Sequence, residues 1–151
     1  MTNLKQIENF LSNKHIGVIG ASRNPKSFSS ALINELINAN YSVYPVNPKA
    51  ETINDLKAFH TVEDLPKEVT AILYVTNAKA TDALLQEAID KGFKNIWIQN
   101  ASETDKTESI INNNNININL ITKQCIIMYL NNTGMHRIHK FVLNIFGKLP
   151  K

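Results

Sequence analysis

The sequence predicts an α/β fold: a three-layer sandwich built on a mostly parallel, five-stranded sheet with helices on both faces. Three observations carry that prediction. Short β-rich runs alternate with segments of helical periodicity, the pattern of strand–helix–strand units joined by right-handed crossovers. The run TAILYV, residues 70–75, is nearly unbroken in its apolar character, as a strand covered on both faces requires. Gly20 ends the first β-rich run, directly before a polar loop and a helix, which is how a βα unit turns.

The elements follow in order. Leu4, Ile7, Phe10 and Leu11 recur at helical spacing and predict a helix over residues 3–13. HIGVIG, residues 15–20, is the first strand. Residues 27–39 set Phe28, Leu32, Leu36 and Ala39 along one helical face, and Asn40 suits the left-handed residue just past that helix. YSVYPV, residues 41–46, is the second strand, broken by Asn47-Pro48. Residues 49–68 are polar and irregular, with Leu56 and Phe59 as anchors. After the strand at 70–75 come a helix over 80–91 closed by Gly92 and a strand at 95–98. Ser102 is placed to cap a helix from about 103 to 111, with acids in its first turn. The asparagine run 112–115 reads as a turn, 116–121 as a fifth strand, and 134–146 as a last helix packing Ile138, Phe141, Val142 and Ile145. The resulting order is Rossmann-like. In such sheets ligands bind beyond the carboxyl ends of the strands, near the switch in strand order.

The chain of 151 residues suits a single domain, with residues 1–14 as an N-terminal helix and 134–151 as a C-terminal helix and tail. An apolar share of 43% and a charged share of 19% belong to a globular protein. No run of about 18 apolar residues predicts a membrane span. The single cysteine, Cys125, excludes an intrachain disulfide and fits a reducing cytoplasm. All acidic residues lie at or before Glu108, while Lys123, Arg137, Lys140, Lys148 and Lys151 follow it. That basic tail is too sparse, and too poor in interleaved aromatics, to argue for nucleic acid.

The turn after Gly20 is the candidate phosphate site. A glycine there lets backbone approach a phosphate, and the N–H groups of the following helix face the anion. Ser22, Ser27 and Ser29 add hydroxyl donors, and Arg23 and Lys26 add charge. The sequence GVIGASRNP is neither G-x-G-x-x-G nor a Walker loop, so from this turn alone a tight βα bend without ligand is an equal reading. The end of the second strand, Val46-Asn47-Pro48-Lys49, lacks the carboxylate that commonly binds a ribose diol in NAD enzymes, though Glu51 is close.

Residues 15–48 resemble the CoA-binding domain family, which includes small stand-alone proteins and the first domain of NDP-forming acyl-CoA synthetases such as the succinyl-CoA synthetase alpha subunit. The shared pattern is strand-G-x-S-x-x-P, a nearby Ser, a helix, then strand-P-V-N-P; here these are Gly20, Ser22, Pro25, Ser29 and Pro45-Val46-Asn47-Pro48. Similarity continues more loosely through Asp64-Leu65-Pro66, the strand ending at Val75, Trp97-Ile98-Gln99, and Cys125, where stand-alone members commonly carry a cysteine. The resemblance implies that Gly20, Ala21 and Ser22 hold the diphosphate of coenzyme A. It also implies that Arg23, Lys26 and above all Lys49 meet the remaining phosphate charge, and that Asn47 and Pro48 border the adenosine. Val75, Thr76 and Asn77 would line the ligand's other side, and Gln99 and Asn100 would lie near the pantetheine. Asn40, Asp55 and Ala101 stand where the family usually has glycine.

The synthetases need a phosphorylated histidine in a following domain and a nucleotide-grasp unit, for which this chain has no room. His15 starts a strand, His60 lies in a polar loop, and His136 and His139 lack a third ligand at suitable spacing, so no metal site is expected. Cys125, ahead of the apolar Ile126-Ile127-Met128, reads as a small buried hydrophobe or as a thiol able to form an adduct with the coenzyme. The expected function is therefore a non-catalytic module that binds coenzyme A or an acyl-CoA as a small-molecule nucleotide ligand, as a carrier, sensor or accessory unit. A homo-oligomer or a synthetase-like partner protein fits that role. The alternatives are an NAD(P)-dependent oxidoreductase and an interaction protein with a degenerate nucleotide site.

Overall fold

A computed structural model describes residues 2–114 and 116–130. The helix expected over 134–146, with Ile138, Phe141, Val142 and Ile145, lies outside the described residues, as do His136, His139, Arg137, Lys140, Lys148 and Lys151.

Helix α1, Leu4–Leu11, opens with a capping box: Asn3 Oδ1 accepts from the Gln6 amide at 3.0 Å, and Gln6 Oε1 accepts from the Asn3 amide at 2.9 Å. Ile7 and Phe10 are buried, but Leu4, expected on the same face, is 71% exposed. A helical side chain leans over the turn before it, and no turn precedes Leu4. Strand β1 is His15–Ile19. Helix α2, Phe28–Asn38, starts where Ser27 Oγ accepts from the Ser30 amide at 3.1 Å, and it buries Leu32, Ile33 and Leu36. Asn40 takes the left-handed conformation expected of it, with φ 66°, and leads into strand β2, Ser42–Val46.

The irregular stretch contains a feature the sequence reading did not anticipate. Strands β3, Thr52–Ile53, and β4, Leu56–Lys57, form a minimal hairpin turned by Asn54 and Asp55 at φ 50° and 61°. Asn and Asp tolerate that region better than most residues, which is why they sit at the bend. A 3-10 turn, η1, follows at Val62–Asp64. Strand β5, Ala71–Tyr74, is buried along its whole length; helix α3 is Ala78–Asp90 and strand β6 Asn95–Gln99.

Two expectations are corrected beyond β6. Helix α4 is Thr107–Asn113, not 103–111, and Ser102 does not cap it. Ser102 is buried and its amide donates to Gln99 O at 2.8 Å. Thr104 instead organises the start: its hydroxyl donates to Asp82 and accepts from the Lys106 amide, while its own amide donates to Thr107 Oγ1 at 2.9 Å. These bonds hold 103–106 out of the helix. Strand β7 is Asn119–Gln124, three residues later than expected, because α4 runs on into the asparagine tract and Asn119 is the residue that pairs with Asn95. A single turn, α5, closes the described chain at Ile127–Leu130.

The sheet order is β2-β1-β5-β6-β7, all parallel, as the alternation of elements predicts. One face buries Ile7, Phe10, Leu32, Leu36 and Ile127 from α1, α2 and α5; the other buries Val62, Leu85, Ile89 and Ile111 from η1, α3 and α4. Trp97 is fully buried on the first face, its ring edge-on to Phe10 and Tyr129 at centroid distances of 5.3 and 5.8 Å. On the second face Gly17 admits the close approach of Leu65 and Ile72, whose methyls would lie 3.0 and 2.9 Å from an added Cβ. Gly17 is thus a packing glycine rather than part of a phosphate loop.

Candidate functional site

The order β2-β1-β5 means that the chain leaves β1 toward one side of the sheet and returns on the other. The connections after β1 and β5 therefore diverge, and a crevice opens at their carboxyl ends. The last bond between the two strands is Val75 N–H to Ile19 O, at 2.9 Å. Gly20 comes next, with φ 90°; a Cβ there would stand 2.5 Å from Thr76 Cγ2 and 2.9 Å from the Thr76 amide nitrogen. The left-handed conformation and the contact with backbone both require glycine.

From Gly20 to α2 the loop is held by its own hydroxyls. The Ser22 amide donates to Ser29 Oγ at 2.9 Å, the Asn24 amide to Ser22 Oγ at 3.1 Å, and the Lys26 amide to Asn24 Oδ1 at 3.0 Å. Ser29 is buried, and its hydroxyl also meets Ser27 Oγ at 3.2 Å. The amides of Ala21 and Arg23 find no acceptor among the described residues. Asn47, at the end of β2, braces the same turn: its Nδ2 donates to Ala21 O at 2.8 Å and its Oδ1 accepts from the Lys49 amide at 2.8 Å.

A cavity of about 440 Å³ lies against this turn. Of the residues singled out in the sequence, Gly20, Ala21, Ser22, Asn47, Pro48 and Thr76 line it. Its apolar floor is Ile19, Val46, Val62 and Leu84, and its remaining walls are His60, Thr61 and Glu87. Sequence reading missed these walls. His60 and Thr61 stand on an irregular segment whose path no periodicity reveals, and Glu87 looks like any outward-facing residue of α3.

Other expected residues stand apart from the cavity. Arg23, Pro25, Lys26 and Lys49 are exposed on the loops that flank it. Val75 packs on the hydrophobic core, and Asn77 caps α3, its Oδ1 accepting from the Ala80 amide at 2.9 Å. Gln99 is buried and spoken for: its Nε2 donates to Cys125 Sγ at 3.0 Å and its Oε1 accepts from the Ile126 amide at 3.2 Å. Asn100 is exposed, with its amide on Gln124 O at 3.2 Å. Cys125 is half-buried just after β7. Ala101 keeps a left-handed backbone, φ 71°. Asn40, Asp55 and Ala101, the three positions named for lacking glycine, all hold the glycine-like conformation.

The arrangement can bind an anion at the Gly20 turn and a flat, largely apolar group on the adjoining floor. A family model described as a CoA binding domain matches residues 14–131. A trans-feruloyl-CoA synthase from an unknown prokaryotic organism is 34% identical over 87 residues, covering 56% of this chain and 12% of that protein. The alpha subunit of an ADP-forming acetate–CoA ligase II of Pyrococcus furiosus is 32% identical over 93 residues, covering 61% of this chain and 20% of the subunit. This chain therefore spans only a small part of the curated relatives it matches. Among solved structures, a conserved hypothetical protein from Pyrococcus furiosus superposes with a TM-score of 0.71 at 28% identity, covering 77% of this chain and 98% of the other.

Proposed function

Because the chain belongs to the CoA binding domain family, we propose that it works as a single domain that binds coenzyme A or an acyl-CoA at the cavity beside Gly20, as a carrier, sensor or accessory module. The observation that carries this reading is the cavity of about 440 Å³ walled by Gly20, Ala21 and Ser22, on a bend whose Ala21 and Arg23 amides have no acceptor among the described residues. Two free N–H groups on a rigid bend suit a diphosphate, since charge-assisted hydrogen bonds to backbone are short and strong. The Ser22 amide is already satisfied by Ser29, so in this reading Ser22 contributes its shape and hydroxyl rather than its N–H. Arg23, Lys26 and Lys49 supply positive charge from exposed positions around the turn. Asn47 and Pro48 border the nucleoside and Thr76 closes the opposite wall, while Gln99, by bonding Cys125, fixes the thiol on the expected path of the pantetheine. Val75 and Asn77 flank Thr76 in the chain, Val75 packed on the core and Asn77 capping α3, and Asn100 stands apart from the cavity.

An oxidoreductase reading has less behind it. The tip of β2 offers Asn47, whose side chain is committed to Ala21 and Lys49, and Glu51 pairs with His60 at 3.2 Å. Neither is placed as the carboxylate that a ribose diol would need. A reducing cytoplasm suits the free thiol of Cys125, and a second copy or a synthetase-like protein would be the partner. A melting series tests the function: coenzyme A and acetyl-CoA at 1 mM or similar should raise Tm by several degrees, as a ligand in large excess over its Kd does, and NAD should not (about 2.7 kcal/mol at a hundredfold excess). Stabilisation by NAD and none by coenzyme A would reject the reading.

A further inference from the structure

The cavity has one wall that the phosphate chemistry does not use. Glu87, on α3, lines it together with the apolar floor of Ile19, Val46, Val62 and Leu84. The Glu87 carboxylate has no ion-pair or hydrogen-bond partner among the described residues. Its charge nonetheless reaches inward: the buried Tyr74 hydroxyl is pushed well above its ordinary range first by burial and then by Glu87. A bare carboxylate repels phosphate, so the anionic part of a ligand is confined to the amide wall and an uncharged part must face Glu87. The floor beside it is apolar, as the face of a planar base requires. At neutral pH a carboxylate only accepts hydrogen bonds. What it can recognise on the pairing edge of adenine is therefore the exocyclic amino group, the one N–H donor there, and a carbonyl oxygen in the same place is repelled.

We propose that Glu87 reads the base of the bound nucleotide, selecting an amino-bearing purine over its oxo counterpart. The inference rests on the coenzyme A reading and sharpens it, by making α3 the specificity wall of the same cavity. Thr61 and His60 complete the rim on the side of η1.

Calorimetric titration of the full chain with coenzyme A and with its deaminated form, which carries hypoxanthine in place of adenine, tests the proposal. Wild type should prefer coenzyme A by about tenfold or more, as sites built to pair a polar group reject the ligand that lacks it. Glu87→Gln can donate as well as accept, and Glu87→Ala can do neither, so both should bring the two affinities to within about threefold. Because Glu87 is exposed, both variants should melt with the wild type, and their melting curves are recorded alongside. A wild type that binds the two ligands alike, or variants that keep the tenfold preference, would overturn the role of Glu87 while leaving coenzyme A binding intact. A wild type that binds neither ligand would instead remove the coenzyme reading, and this inference with it.

Discussion

At the scale of single residues, backbone conformation decides more than side-chain chemistry. Gly20 is the clearest case: any Cβ would meet the Thr76 backbone. Gly20→Ala should cost about 2–4 kcal/mol, from left-handed strain plus the clash, and should abolish ligand-induced stabilisation even in whatever fraction folds. Denaturant titration with and without coenzyme A measures both. Ala101 is the converse, an L-residue held at φ 71° on an exposed turn. Ala101→Gly should relieve the strain and raise stability by about 0.5–1 kcal/mol, net of the greater freedom glycine has when unfolded. A fall in stability on that change would mean that the methyl makes a contact worth more than the strain.

Among the elements, legibility followed the strength of local signals. The strand at Ala71–Tyr74 and the left-handed Asn40 were readable because a run of apolar residues and a helix followed by Asn each have few alternatives. Ser102 misled because it has the chemistry of a cap, yet the Ala101 bend turns its amide back onto Gln99 and buries it. The start of α4 is instead organised by Thr104 through a partner on α3, Asp82, which lies 22 positions away in the sequence and leaves no periodic trace. Likewise the β3–β4 hairpin rests on two non-glycine residues in left-handed conformations, a turn that the pair Asn54-Asp55 announces only weakly. The loop of the site was legible as a composition of serines and glycine; its wiring, with Ser29 rather than a ligand on the Ser22 amide, was not.

For the whole molecule, the sheet order fixes where the crevice opens and the burial of the sheet fixes how the fold responds to pH. Tyr74 is buried at the end of β5 with its hydroxyl on Leu84 O at 3.1 Å, and burial holds its pKa above the ordinary 10.0. Tyr41 is raised by burial as well. The folded state thus keeps protons that the unfolded chain gives up, so this share of stability is complete below about pH 10 and falls as the pH rises beyond it. Urea midpoints between pH 8 and 11 should be level at first and then decline, and Tyr74→Phe should soften the decline; an unchanged slope in that variant would remove Tyr74 from the account. No described helix is long and apolar enough to cross a membrane.

The central claim is that free main-chain amides at the bend after β1 receive the diphosphate of the coenzyme. Amide-resolved NMR during a titration with coenzyme A reads those groups one by one. The Ala21 and Arg23 amide signals should shift furthest, with a saturation curve matching the calorimetric affinity, while the Ser22 signal, bonded to Ser29, should move less. Saturable binding that leaves Ala21 and Arg23 unmoved and perturbs a different face of the sheet would contradict it.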